Sequence, residues 1–279
     1  MPLRVRSLLF VPGDRPDMIA KVARWNPDVT AVDLEDAVAP AEKELARAAA
    51  MTAVADLVAG PGRRRVVLVR VNPPDARWFE ADVAAALASP TAGVVLPKLE
   101  DPRQLAELRW LLARHGRADV AIVAGLETAR GVAAARELAA GGLAAVYFGA
   151  EDYIADVGGR RTRVGHEVLY ARSEVVLAAR LAGVPAIDQA VVAVHDERAF
   201  DEDARIGREL GYSGKICLHP RQVTQAHQIF TPSRAEVALA RAVLAATRAG
   251  VGVVEGEMVD EAHSKMATAV LRQAGEDPE

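Results

Sequence analysis

The chain has 279 residues, 51% of them hydrophobic, with 34 Lys plus Arg against 38 Asp plus Glu for a net charge of −4. That apolar share excludes a globally disordered chain. The slight acidic excess removes the electrostatic case for nucleic-acid binding, and the 4% aromatic content leaves few platforms for stacking single strands. The single cysteine, Cys217, supports neither a disulfide framework nor a zinc-finger cluster. No uncharged run of about 18 apolar residues predicts a membrane span. The N-terminus carries no signal-peptide core, so a cytoplasmic location is expected.

Taken in chain order, short β-branched runs alternate with longer stretches of helical period. The runs cover residues 7–11, 29–34, 66–71, 93–96, 120–123, 144–148, 185–187 and 215–218. They are nearly all apolar, as parallel strands buried on both faces require. The helical stretches cover 17–25, 40–58, 78–87, 102–114, 130–140, 165–182 and 197–210. Pro40 and Pro102 are placed for first helical turns, and Gly183 and Gly211 for helix ends. Eight strand-then-helix units predict an α/β fold, a (β/α)8 TIM barrel, over residues 1–230. A doubly wound sheet is disfavoured because no G-x-G-x-x-G follows the first strand. Residues 231–279 exceed a minimal barrel and predict a C-terminal helical extension: one long helix over 232–249, an apolar Gly-broken segment over 251–258, and a last helix over 260–274.

The C-terminal ends of barrel strands converge on one mouth. Here those ends carry Asp33, Glu35 and Asp36, then Arg70, Lys98, Glu127, Asp152, Asp188 and His219. Glu127 and Asp152 follow neighbouring strands, which lie about 4.7–4.9 Å apart, and are expected to grip one hard cation such as Mg²⁺ between them. The competing reading makes each carboxylate a helix cap. Arg70 interrupts an apolar strand, so its guanidinium needs acidic or oxyanionic partners: an enolate or carboxylate of a substrate, or a structural pair with Asp33, Glu35 or Asp36. Lys98 is read as a Schiff-base or substrate lysine, or as an exposed loop charge. His219 is read as a base, a phosphate contact or a satisfied strand-end histidine. Cys217, inside an apolar run, is expected to be an inert buried thiol. The basic loop at 158–163 is read as a phosphate contact or a solvated loop.

The stretches SLLFVPGDRP at 7–16, DLEDAV at 33–38, RVN at 70–72, LPK at 96–98, ETARG at 127–131, FGAED at 148–152, CLHP at 217–220 and MVD at 258–260 occur in an order and number that resemble the citrate lyase β-subunit-like branch of the HpcH/HpaI aldolase superfamily. The resemblance spans residues 7–274. It implies a (β/α)8 barrel, usually trimeric or hexameric, that makes or breaks a carbon–carbon bond in a β-hydroxyacyl-CoA thioester through an acyl enolate, releasing or consuming a small oxo acid. It implies Glu127 and Asp152 as Mg²⁺ ligands, Arg70 as the substrate arginine, and Asp260 as the acid/base carboxylate delivered by the C-terminal segment of an adjacent subunit. Asp36 joins Arg70 and Asp260 as a candidate catalytic residue. Lys98, the first-strand turn (Pro12, Arg15) and the His219-Pro220 turn fall where coenzyme A or substrate is expected. Many relatives have proline soon after the lid aspartate; this chain has Glu261-Ala262-His263.

Overall fold

The computed structural model describes residues 5–62, 65–248 and 250–277. The chain divides into two compact units, Met1–His227 and Gln228–Glu279.

In the first unit eight parallel strands close into a barrel in sequence order. They are β1 (Ser7–Pro12), β2 (Val29–Asp33), β3 (Val66–Arg70), β4 (Gly93–Leu96), β5 (Ala121–Leu126), β6 (Ala145–Phe148), β7 (Ala186–Asp188) and β8 (Gly214–Cys217). The (β/α)8 expectation is met, with strand positions within a residue of those read from the sequence except at β5, which ends three residues later. Leu8, Val29, Ala31, Leu68, Val95, Val123, Ala145, Tyr147, Ile187 and Ile216 form one buried cluster with a member from every strand, which makes it the lumen. Strand side chains alternate faces, so the inward series 29-31 and 66-68 continue to Asp33 and Arg70 at the strand ends.

Helices flank the strands: α1 (Pro16–Lys21), α2 (Lys43–Ala59), α3 (Phe79–Ala88), α4 (Pro102–Arg114), α5 (Ala129–Ala133), α6 (Ala135–Ala139), α7 (Ala150–Asp156), α8 (His166–Ala182), α9 (Glu197–Leu210) and α10 (Pro220–Ile229). α4 shows why the sequence folds as it does. Asp101 caps it in a reciprocal box with Gln104, Pro102 sits in the first turn, and Leu105, Leu108, Leu111 and Leu112 form the buried stripe. Gly183 and Gly211 end α8 and α9 in the left-handed region, as expected. Three readings need correction. Pro40 does not open a helix, because α2 starts at Lys43. The stretch 130–140 is two short helices broken at Ala134. The helix α10 had been passed over, its apolar positions being few among polar residues.

In the second unit α11 (Arg234–Thr247) and α12 (Glu261–Ala274) pack through Ala240, Val243, Ala267 and Leu271, with Val259 joining them. The helix expected over 232–249 starts two residues later, where Ser233 caps it with Glu236 in a reciprocal box; its expected last residue, Ala249, lies outside the described residues. The segment 251–258 forms a hairpin, β9 (Gly252–Val254) with β10 (Glu257–Val259). Both turn residues have positive φ, 49° at Glu255 and 87° at Gly256, as a two-residue hairpin turn demands. Among the described residues no helix is long and apolar enough to cross a membrane.

Candidate active site

The mouth of the barrel opens into a cavity of about 410 Å³ whose lining includes Pro12, Asp36, Arg70, Glu127, Tyr147 and Asp152. Register places Asp33 directly opposite Arg70. Arg70 Nε donates to Asp33 Oδ1 at 2.7 Å and Nη2 to Oδ2 at 2.6 Å. Nη1 lies 3.0 Å from Glu35 Oε2, close enough for an ion pair but not aligned as a hydrogen bond; that buried oxygen has no hydrogen-bond partner. Burial works against the charge of both Asp33 and Arg70, yet each holds the other ionised: the carboxyl sits below its ordinary range and the guanidinium well above. The structural pairing foreseen for Arg70 is therefore real. It uses two of the five N–H groups in hydrogen bonds, with Nη1 held beside Glu35 as an ion pair.

Glu35 is buried and its carboxyl is pushed up to about 7, first by burial; Arg70 opposes the shift, Glu127 and Asp36 add to it, and Lys98 opposes it. Lys98 is not an exposed loop charge. Its Nζ pairs with Glu35 and lies 3.3 Å from Asp36 and 3.4 Å from Asp152. Its backbone, at φ 49°, is in the left-handed region, and its N–H donates to Glu127 Oε1 at 2.8 Å. Strain at a non-glycine residue of this kind is retained where the surroundings over-determine it.

Glu127 is fully enclosed at the end of β5. It does not cap the following helix, because Thr128 does so through its hydroxyl. Asp152 lies inside α7, whose N-cap is Gly149. The capping alternative is thus excluded for both carboxylates. Tyr147 donates its hydroxyl to Glu127 Oε1 at 3.0 Å. Burial raises the Glu127 carboxyl, Arg70 opposes, and the charge of Asp152 raises it further. Asp33, Glu35, Asp36, Glu127 and Asp152 cluster around Arg70 and Lys98, with Lys43 held beneath them on the Leu34 and Glu35 carbonyls. Glycine at 149 lets Glu127 press against the start of α7, since a Cβ there would collide with Oε2. A crowded acidic cradle of hard oxygens is what Mg²⁺ fits.

Other expected residues lie apart from the cavity lining. Arg15 is exposed and paired with Asp17 at 3.0 Å. His219 stacks edge-on with His195 at 5.7 Å, its pKa lowered by burial, His195 and Arg221, and Pro220 opens α10. Arg161 of the basic loop pairs with Glu151 at 3.3 Å. Cys217 is buried, which pushes its thiol pKa up and keeps it inert. Asp188 was read as a mouth residue, and that is wrong. Ile187 faces the lumen, so Asp188 and Lys215 face outward. There Lys215 Nζ meets Asp188 at 2.7 Å and Asp203 at 2.5 Å, and Arg172 meets Asp188 at 2.6 Å. In the second unit Asp260 caps α12: Oδ1 accepts from Ala262 N and lies 2.7 Å from His263 Nδ1, and His263 holds the carboxyl below its ordinary range. Sequence reasoning missed Tyr147. The available signal was a phenol in an otherwise apolar strand, which needs a buried acceptor.

A closed parallel barrel with a charged, partly enclosed mouth at its strand ends defines an enzyme of the (β/α)8 class. Residues 6–220 match the HpcH/HpaI aldolase/citrate lyase family. A citrate lyase subunit beta-like protein of Deinococcus radiodurans is 47% identical, with 97% of each chain covered. A (3S)-malyl-CoA thioesterase of Cereibacter sphaeroides is 32% identical over 96% of this chain and 94% of its own. The crystal structure of the protein CitE from Mycobacterium tuberculosis in complex with magnesium, acetoacetate and coenzyme A superposes with a TM-score of 0.82 at 34% identity, covering 99% of this chain and all of that one. The chain belongs to the HpcH/HpaI aldolase/citrate lyase family and is a carbon–carbon lyase.

Proposed function

We propose that the protein cleaves, or forms, the carbon–carbon bond of a β-hydroxyacyl-CoA thioester such as malyl-, citramalyl- or citryl-CoA, giving acetyl-CoA and an oxo acid. The observation that carries this reading is the meeting of Glu127, Asp152 and Arg70 on one cavity. Glu127 and Asp152 would hold Mg²⁺, and the described residues include no cage of three or more His, Cys, Asp or Glu. The protein then contributes two carboxylates and leaves the remaining positions to substrate and water oxygens. When bound, the ion would supply Lewis-acid polarisation and orientation of the oxo-acid portion.

The chain's own groups do the rest. The N–H groups of Arg70 that are not bonded to Asp33 stabilise charge that develops on the thioester oxygen, and Asp33 and Glu35 keep the guanidinium aimed without reorganisation. Asp36, on the cavity wall and tied to Lys98, orients the substrate beside it. Asp260, supplied by the C-terminal segment of a neighbouring copy in a trimer or hexamer, delivers a proton to the enolate carbon in cleavage and removes it in condensation. Pro12, Arg15, Lys98, His219 and Pro220 line the approach of coenzyme A.

The test is incubation of the purified protein with a panel of these thioesters, with and without Mg²⁺, followed by mass spectrometry. Metal-dependent acetyl-CoA release together with an oxo acid supports the lyase reading. The thioesterase relative favours a second outcome, free coenzyme A with the intact hydroxy acid, which would replace bond cleavage by hydrolysis. Thermal stabilisation by pyruvate and not by acetyl-CoA would instead point to an aldolase of free hydroxy-keto acids.

A further inference from the structure

Tyr147 is a fully enclosed polar side chain beneath the mouth. It is 1% exposed, and its ring stands edge-on to Phe10 at 6.1 Å. Register sets it opposite Gly125 on β5. That glycine has a steric reason: a Cβ there would collide with the Tyr147 hydroxyl and crowd Glu127 Oε1. The empty place lets the hydroxyl rise past β5 and donate to Glu127 Oε1, which also accepts the Lys98 N–H. The two lone pairs of that oxygen are then both used. Among the described residues no hydrogen bond is made to Oε2, the oxygen pressed against Gly149. The end torsion of a glutamate is broad and nearly two-fold, so a carboxylate without such anchors would present either oxygen, or both.

The geometry points to Tyr147 as a positioning residue for the metal: with the Lys98 N–H it locks Glu127 as a one-oxygen ligand, presenting Oε2 to a divalent cation shared with Asp152. This rests on the assignment of Glu127 and Asp152 as the Mg²⁺ ligands. Partners that orient a metal-bound carboxylate typically govern 10–100-fold in affinity.

The experiment is calorimetric titration of Mg²⁺ into EDTA-stripped wild type, Tyr147→Phe, Gly149→Ala and Glu127→Gln, with thermal unfolding of each in EDTA. The expected result is Mg²⁺ binding weakened about tenfold or more in Tyr147→Phe, with the unfolding temperature in EDTA unchanged. Gly149→Ala, which displaces Oε2, should weaken binding likewise. Wild-type affinity in Tyr147→Phe, whether or not its stability falls, overturns the positioning role. Wild-type affinity in Gly149→Ala overturns the presentation of Oε2. Loss of binding in Glu127→Gln with Tyr147→Phe unaffected rejects the positioning role alone, whereas wild-type affinity in Glu127→Gln rejects the metal assignment and this inference with it.

Discussion

Among single residues, Glu35 carries the sharpest consequence. Its carboxyl sits where water is excluded, and burial raises it from 4.5 to about 7. A raised carboxyl favours the folded state below pH 4.5, and that contribution is lost as pH climbs toward and through 7. Glu35→Gln does not titrate. The stability difference between wild type and Glu35→Gln should therefore shift in favour of Gln by on the order of 3 kcal/mol between about pH 4.5 and 8, read by chemical denaturation in EDTA. A difference that is flat with pH would place the Glu35 pKa in its ordinary range. At this scale the sequence was informative about residue type: a lone arginine in an apolar strand had to find carboxylates, and Asp33 and Glu35 are its partners. It was silent on Tyr147 and left Lys98 open between a substrate lysine and a loop charge, because both depend on which atoms of distant strands meet.

Elements explain where two other expectations went. β7 ends at Asp188 and β8 carries Lys215 as its second residue, and parity sends both to the outer wall, where α8 and α9 close over them. This network holds the wall together and does no chemistry at the mouth. Lys215→Met leaves buried Asp188 with Arg172 alone and should cost roughly 3 kcal/mol of stability, measured by urea denaturation, while Mg²⁺ affinity stays that of wild type. A mutant with weakened metal binding and intact stability would return this pair to the site. In the second unit, Asp260 both caps α12 and stands as the proposed proton carrier. Asparagine caps as well as aspartate does, and alanine does not. Asp260→Asn should keep the wild-type melting temperature and Mg²⁺ affinity but slow turnover, whereas Asp260→Ala should lower the melting temperature as well. Unchanged turnover in Asp260→Asn would remove it from the reaction. His263 completes the cap through its ring.

At the scale of the whole molecule, the proposal divides the active site between copies: the barrel gives Arg70, Glu127 and Asp152, and a neighbour gives Asp260. Glu127→Gln and Asp260→Asn are each expected to be nearly inactive. Unfolded together and refolded as a 1:1 mixture, they should regain about a quarter of wild-type activity, since half the barrels and half the lids are intact and pair at random (0.5 × 0.5). No recovery would confine the reaction to one chain. The order and apolarity of eight short runs, each followed by a helical stretch, pointed to a parallel barrel, because strands buried on both faces call for such sequences and eight alternating units are the number that a (β/α)8 barrel uses. Local spacing likewise determined the first helical turn at Pro102, the helix ends at Gly183 and Gly211 and the acidic character of the strand ends. Which of those charged ends enter the lumen was decided by the tertiary structure alone. A shift of one residue reverses the face of a strand side chain, so that Asp33, Arg70 and Glu127 meet in the cavity while Asp188 turns away, and the short apolar runs fix their register only when the barrel closes.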